Sequence, residues 1–186
     1  MKEMVAFHEA AHIAVTLNSC VRERIQSARV FELNGQWFGE CVIAYEGTRL
    51  SAAEMVASLG VDVAGPLVQL LLHPDTVPTE VREAVEQNKG LLAASWWLLV
   101  NKPKVQFNWG LDMNFWLNQR KWNENLALER YYETETVVHR WLADEGTQDA
   151  LKNIVNLLNT HDALSRDALL AINIDGFPPL DLPSYL

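Results

Sequence analysis

A chain of 186 residues, 49% of them hydrophobic, is long enough to bury a core and reads as one domain. Its net charge of −9 argues against nucleic acid as a partner, because a phosphate backbone calls for a basic face. Two cysteines, Cys20 and Cys41, are too few for a disulfide scaffold or an all-cysteine zinc site, and they fit a reduced, cytoplasmic setting.

The first predicted element is a helix over residues 2–19. Met4, Val5, Ala6, Phe7, Ala10, Ala11, Ile13, Ala14, Val15 and Leu17 make it apolar on nearly every side, so it belongs inside a domain. It also carries charges, and it does not read as a signal peptide. Its polar groups in the middle are set in the order His8-Glu9-Ala10-Ala11-His12. Four residues is close to one helical turn, so both imidazoles share a face and can reach one metal ion. Glu9 lies about a quarter-turn round, where it can meet a water at that metal. A buried polar group without a partner costs on the order of 2–7 kcal/mol, and a shared metal supplies the partner for all three. HExxH on a helix is the water-activating half of a zinc peptidase site. The competing reading is an accidental helix with surface histidines.

A strand is expected over residues 27–33. Asn34-Gly35 makes a hairpin turn, since both residues tolerate positive φ, and residues 36–45 return as the second strand. Gly39 is expected to mark a bulge there. Ser51-Ala52-Ala53-Glu54 is a capping box that opens a helix to about residue 72, which Pro66 should kink or Gly65-Pro66 split. His73-Pro74-Asp75 breaks the chain. Pro78-Thr79 then starts a helix to about residue 100, ended by Lys102-Pro103. The longest apolar run falls at residues 91–100, interrupted only by Ser95. It is too short for a bilayer, which takes about 20 residues, so no membrane span is expected.

Residues 105–111 read as an aromatic-rich loop and 112–144 as helical, in one piece or two. Residues 147–159 form an amphipathic helix with Leu151, Ile154, Val155, Leu157 and Leu158 on its core side. Ser165 can cap one last short helix. The expected fold is α+β and mostly helical, a metal-binding helix beside a small β-hairpin or sheet followed by a helical bundle. Residues 1–172 would form the domain and 173–186 an irregular tail.

A tetrahedral catalytic zinc needs a third protein ligand and keeps its fourth position open. The metzincin pattern would put Gly three residues and His six residues after His12. The chain has Val15 and Asn18 there, which excludes that class. A thermolysin-like site would take a Glu from a later helix. Glu54 is the candidate, although the capping box already uses it, and Asp75 is a further one. His73, His139 and His161 read as surface or structural histidines.

Ala6-Phe7-His8-Glu9-Ala10-Ala11-His12 resembles the A-Y-H-E-A-G-H signature of the peptidase domain of FtsH-type zinc metalloproteases. Arg29-Val30-Phe31-Glu32-Leu33 with Phe38-Gly39-Glu40 is similar to that family's strand and its glycine. Val63-Ala64-Gly65-Pro66-Leu67 looks like the alanine-glycine stretch on its next helix, and His161-Asp162-Ala163-Leu164-Ser165 like the K-E-T-L-(S/D) link before its last one. These matches are scattered over residues 4–170, and only the first is specific. The resemblance implies that the third ligand is Asp112, in Asn108-Trp109-Gly110-Leu111-Asp112, opening a later helix after a glycine-containing loop. An acid at a helix start is also favoured by the helix dipole. Ala11 stands where the family has glycine, and alanine is the better helix former. No GxxxxGK(S/T) motif occurs, so the family's ATP-driven motor is not within these residues.

The motif and the resemblance together imply a zinc-dependent metalloendopeptidase, a hydrolase acting on peptide bonds in extended or unfolded polypeptide. His8, His12 and Asp112 would bind Zn2+ and Glu9 would act as the base. An edge of the hairpin would pair with substrate. Such a protein would act on flexible segments, on one dedicated target, or with a separate ATPase or adaptor, and a homo-oligomer is compatible with it. The alternative is a degenerate, non-catalytic relative serving as a protein-binding module. Seven tryptophans offer contact surface for that role, and an intact Glu9 argues against it.

Overall fold

The computed structural model describes residues 1–45, 50–88, 90–101 and 124–183. Asp112, the loop at 105–111 and Lys102-Pro103 lie outside the described residues. Among the described residues the fold is α+β and mostly helical, with seven α-helices and one three-stranded antiparallel sheet.

Helix α1 (Lys2–Leu17) is the centre of the core. From residue 5 to residue 17 only His8 is not fully buried. A helix apolar all round has to be enclosed, and α1 is enclosed by α2 (Ala52–Leu72), by strands β1 (Ile25–Leu33) and β2 (Gln36–Ile43), and by α6 (Glu145–Thr160). Thr16 keeps its place inside by donating to the His12 carbonyl one turn back, at 2.7 Å. Small buried residues on both helices, Ala10, Ala11 and Ala14 on α1 and Ala57, Ala64 and Gly65 on α2, suit the close contact of α1 and α2.

The hairpin turn falls at Asn34 (φ 52°) and Gly35 (φ 78°), the two positive-φ positions a tight turn needs. Pairing runs in regular register through Val30 opposite Gly39, and the one irregularity lies between Ile25 and Ser27. The bulge is therefore not at Gly39. The sheet order is β2-β1-β3, with β3 (Leu164–Ser165) pairing only with Ser27 and Ala28.

The capping box at Ser51 and Glu54 is formed in both directions. Helix α2 continues unbroken through Pro66 to Leu72, so Gly65-Pro66 does not split it. By length and composition α2 could cross a membrane, with a mean hydropathy of 1.7 over its most apolar stretch, yet 72% of that stretch is buried inside the protein. Asp62 and the Gly65-Pro66 step hide this helix from a search for uninterrupted apolar runs.

Helices α3 (Thr79–Asn88) and α4 (Leu91–Asn101) were expected as one and are two, broken at Gly90. Glu135 on α5 (Glu124–Ala143) accepts the Leu91 amide at 2.9 Å, which satisfies one orphan N–H of the new helix start. Asp144 separates α5 from α6 and caps α6 through the Thr147 amide. Helix α6 buries Leu151, Ile154, Val155 and Leu158, as its pattern predicts, while Leu157 is only partly buried, at the margin of the core. Ser165 caps α7 (Arg166–Leu170). Residues 173–183 form no helix or strand, but they are docked: Phe177 stacks on Trp141 at 5.4 Å, and Trp141 Nε1 donates to the Pro178 carbonyl at 2.9 Å.

Candidate metal centre

His8, Glu9 and His12 sit where α1 passes between α2 and the sheet. One helical turn separates the two imidazoles, and their ring centroids lie 4.8 Å apart at an interplanar angle of 70°. His12 is 7% exposed and Glu9 6%, so neither is an accidental surface residue.

The backbone of α2 orients the His12 ring. Nδ1 lies 2.6 Å from the Val61 carbonyl oxygen. A carbonyl can only accept, so Nδ1 carries the hydrogen and Nε2 of the neutral ring keeps its lone pair. This is the arrangement in which a metal-binding histidine is held by a partner behind it.

One turn further along α2, Gly65 leaves room for both imidazoles. A Cβ built at residue 65 would collide with Nε2 of His8 and Nε2 of His12 together. His12 Nε2 lies 2.5 Å from that point, and His8 Nε2 crowds it as well. Both Nε2 atoms therefore pack against one position that carries no side chain, and two imidazole nitrogens brought together are donors of the kind zinc takes.

Glu9 is positioned from the opposite side. A Cβ at residue 39 would overlap its Cγ, Cδ and Oε1, so β2 approaches the carboxylate closely only because residue 39 is glycine. This is the physical reason for a glycine that the sequence alone suggested was a bulge. Cys41, next on the same face of β2, has its thiol pushed well up by burial and, second, by the charge of Glu9. Both cysteines are free.

No group of three His, Cys, Asp or Glu side chains placed to hold a metal occurs among the described residues. Asp112, the expected third ligand, lies outside them. Glu54 is committed elsewhere. Its Oε2 accepts from the Ser51 amide and hydroxyl at 2.9 and 2.8 Å, and its Oε1 pairs with Arg24 at 2.6 Å. The Ser51 amide first, and then Arg24, hold its carboxyl down at about 2. Asp75 is exposed in the short turn after α2. His73 packs against Phe7 at 5.4 Å, His161 is exposed at the end of α6, and His139 lines a separate cavity.

The Val61 carbonyl and the steric role of Gly65 were not foreseen from the sequence. The only signal for either was a glycine within an apolar helix, a position where close approach is one of several meanings. The chain matches no known family model and no curated protein with which it was compared.

Proposed function

We propose that this protein is a zinc-dependent metalloendopeptidase that hydrolyses peptide bonds in extended or unfolded polypeptide, like the FtsH-type peptidase domains its first helix resembles. The observation that carries this reading is the HExxH triplet packed inside the fold, with the His8 and His12 Nε2 atoms together against Gly65 and the His12 ring held by Val61. His8 and His12 would hold the ion together with Asp112. Zinc, when bound, would polarise the scissile carbonyl and acidify the attacking water. Glu9 takes the proton of that water on its carboxylate and passes it to the leaving amine. Gly39 lets β2 lie against this carboxylate. Because β2 is an edge strand among the described residues, an extended segment hydrogen-bonded along it would run beside Glu9. Pairing of this kind reads backbone, so sequence preference should be loose.

The test is Glu9→Gln. The wild type with zinc should cleave unfolded casein, and the variant should bind zinc equally while losing about 100-fold or more in rate, the usual contribution of a general base. Undiminished cleavage by Glu9→Gln would refute the mechanism. A wild type that binds zinc, cleaves nothing and holds one partner stably would favour the binding-module reading instead.

A further inference from the structure

The hairpin of β1 and β2 has two unlike faces. Ala28 and Val30 of β1 are buried, and Trp37 and Cys41 of β2 pack against the core from the same side. Side chains alternate along a strand, so their neighbours in sequence project to the other side. The register sets four rungs there: Ser27 opposite Val42, Arg29 opposite Glu40, Phe31 opposite Phe38 and Leu33 opposite Gln36. Phe31, Leu33, Phe38 and Val42 are neither in the core nor packed against it. Leu33 is 55% exposed and Val42 37%, and with Met1 they are the exposed large hydrophobic residues among those described. Phe31 and Phe38 stack at 5.9 Å, Arg29 lies over the Phe31 ring at 4.7 Å, and its Nε donates to Glu40 Oε2 at 2.7 Å.

This outer face is thus an apolar strip with one cation and one anion side by side. It is neutral, in a chain of net charge −9. It also matches itself. A two-fold axis parallel to the strands, between two hairpins packed face to face, sets β1 of each copy over β2 of the other. Each rung then meets the same rung reversed. Arg29 faces the second copy's Glu40 and Phe31 faces its Phe38, and both contacts occur twice, the reciprocity of an isologous interface. Sheets packed in this way stand about 10 Å apart, which long side chains fill by interdigitating.

We propose that the outer face of the hairpin is the contact surface of a homodimer, two hairpins packed face to face about this axis. The backbone edge of β2 stays open in that arrangement, and the inference does not depend on peptidase activity. Four rungs supply eight residues, fewer than the roughly 20–30 on each side of a standard interface. The dimer is therefore weak, with a Kd on the order of 100 µM.

The experiment is sedimentation equilibrium of the full chain from about 10 to about 500 µM, in about 0.15 M salt to screen the net charge. A monomer–dimer equilibrium is expected. Arg29→Glu and Glu40→Arg each set like charges across the axis, and each alone should dimerise at least tenfold more weakly. The in-chain ion pair that they lose is half exposed and stabilises little, so both should keep the wild-type circular dichroism. Mixed in equal amounts, the two variants should associate as tightly as the wild type, because one is acidic at both positions and the other basic at both. A pair that acts only within its own chain gives no such recovery. Leu33→Lys, beside the turn, should also weaken the dimer at least tenfold, and Lys152→Gln, on the exposed face of α6, should leave it unchanged. A wild type that stays monomeric throughout this range would overturn the proposal and leave the face to a different protein. Dimerisation indifferent to Arg29→Glu and Leu33→Lys, or a mixture no tighter than its two components, would overturn it as well.

Discussion

A methyl group added at residue 65 would collide with the Nε2 atoms of both His8 and His12 and push the two rings apart from their present positions. Gly65 lies inside a continuous helix, where alanine is favoured over glycine by about 1 kcal/mol, so the substitution does not threaten the helix itself. Gly65→Ala is therefore expected to leave the protein folded and to weaken zinc binding at least tenfold, as measured by competition with a chelator. Unchanged affinity would mean that the ion sits elsewhere. Gly39→Ala separates the other half of the site. It pushes on Glu9 and leaves His8 and His12 alone. Its zinc affinity should match the wild type while casein cleavage falls by about 100-fold, the cost of misplacing a catalytic group by around an ångström. Equal activity would show that Glu9 tolerates displacement. The two histidines and Glu9 were legible because one helical turn brings them together. The glycines were visible too, but an isolated glycine in a strand signals either a bulge or a close neighbour, and only the register separates the two.

Elements were legible where their signals are local. The Asn34-Gly35 turn, the Ser51–Glu54 capping box and the apolar stripe of α6 all depend on residues within a turn or two. The break between α3 and α4 was not legible, because the carboxylate that accepts the Leu91 amide comes from 44 residues away. Nor was β3, whose two residues are too few to show alternation. The same Glu135 gives α5 a pH signature. Burial raises its carboxyl from 4.5 to about 7, with the Leu91 amide opposing the shift. The folded state thus holds the proton more tightly than the unfolded state. Stability from this group is full below about 4.5, falls as pH rises through 4.5 to 7, and is lost above that. Glu135→Gln removes the titration, so its stability relative to the wild type should improve from pH 4.5 to pH 8 by an amount on the order of 3 kcal/mol at most. Denaturant titrations at the two pH values check this, and parallel profiles would show that Glu135 is not held neutral.

At the scale of the whole molecule, the α+β class and the enclosure of α1 follow from a helix apolar all round beside a short hairpin. The apolar length of α2 was missed because Asp62 and Gly65-Pro66 interrupt it, yet that helix supplies both the Val61 carbonyl and the Gly65 gap. The candidate site is thus assembled between α1, α2 and β2. Its third ligand is assigned to Asp112 by resemblance alone. The most direct measurement is the zinc content of protein purified without a histidine tag, for the wild type, His12→Ala and Asp112→Ala together. About one zinc per chain in the wild type, none in His12→Ala and much weakened retention in Asp112→Ala is the predicted result for a three-ligand site. A wild type that takes up no zinc even when zinc is supplied would contradict the account, and full retention by Asp112→Ala would contradict the role assigned to that residue.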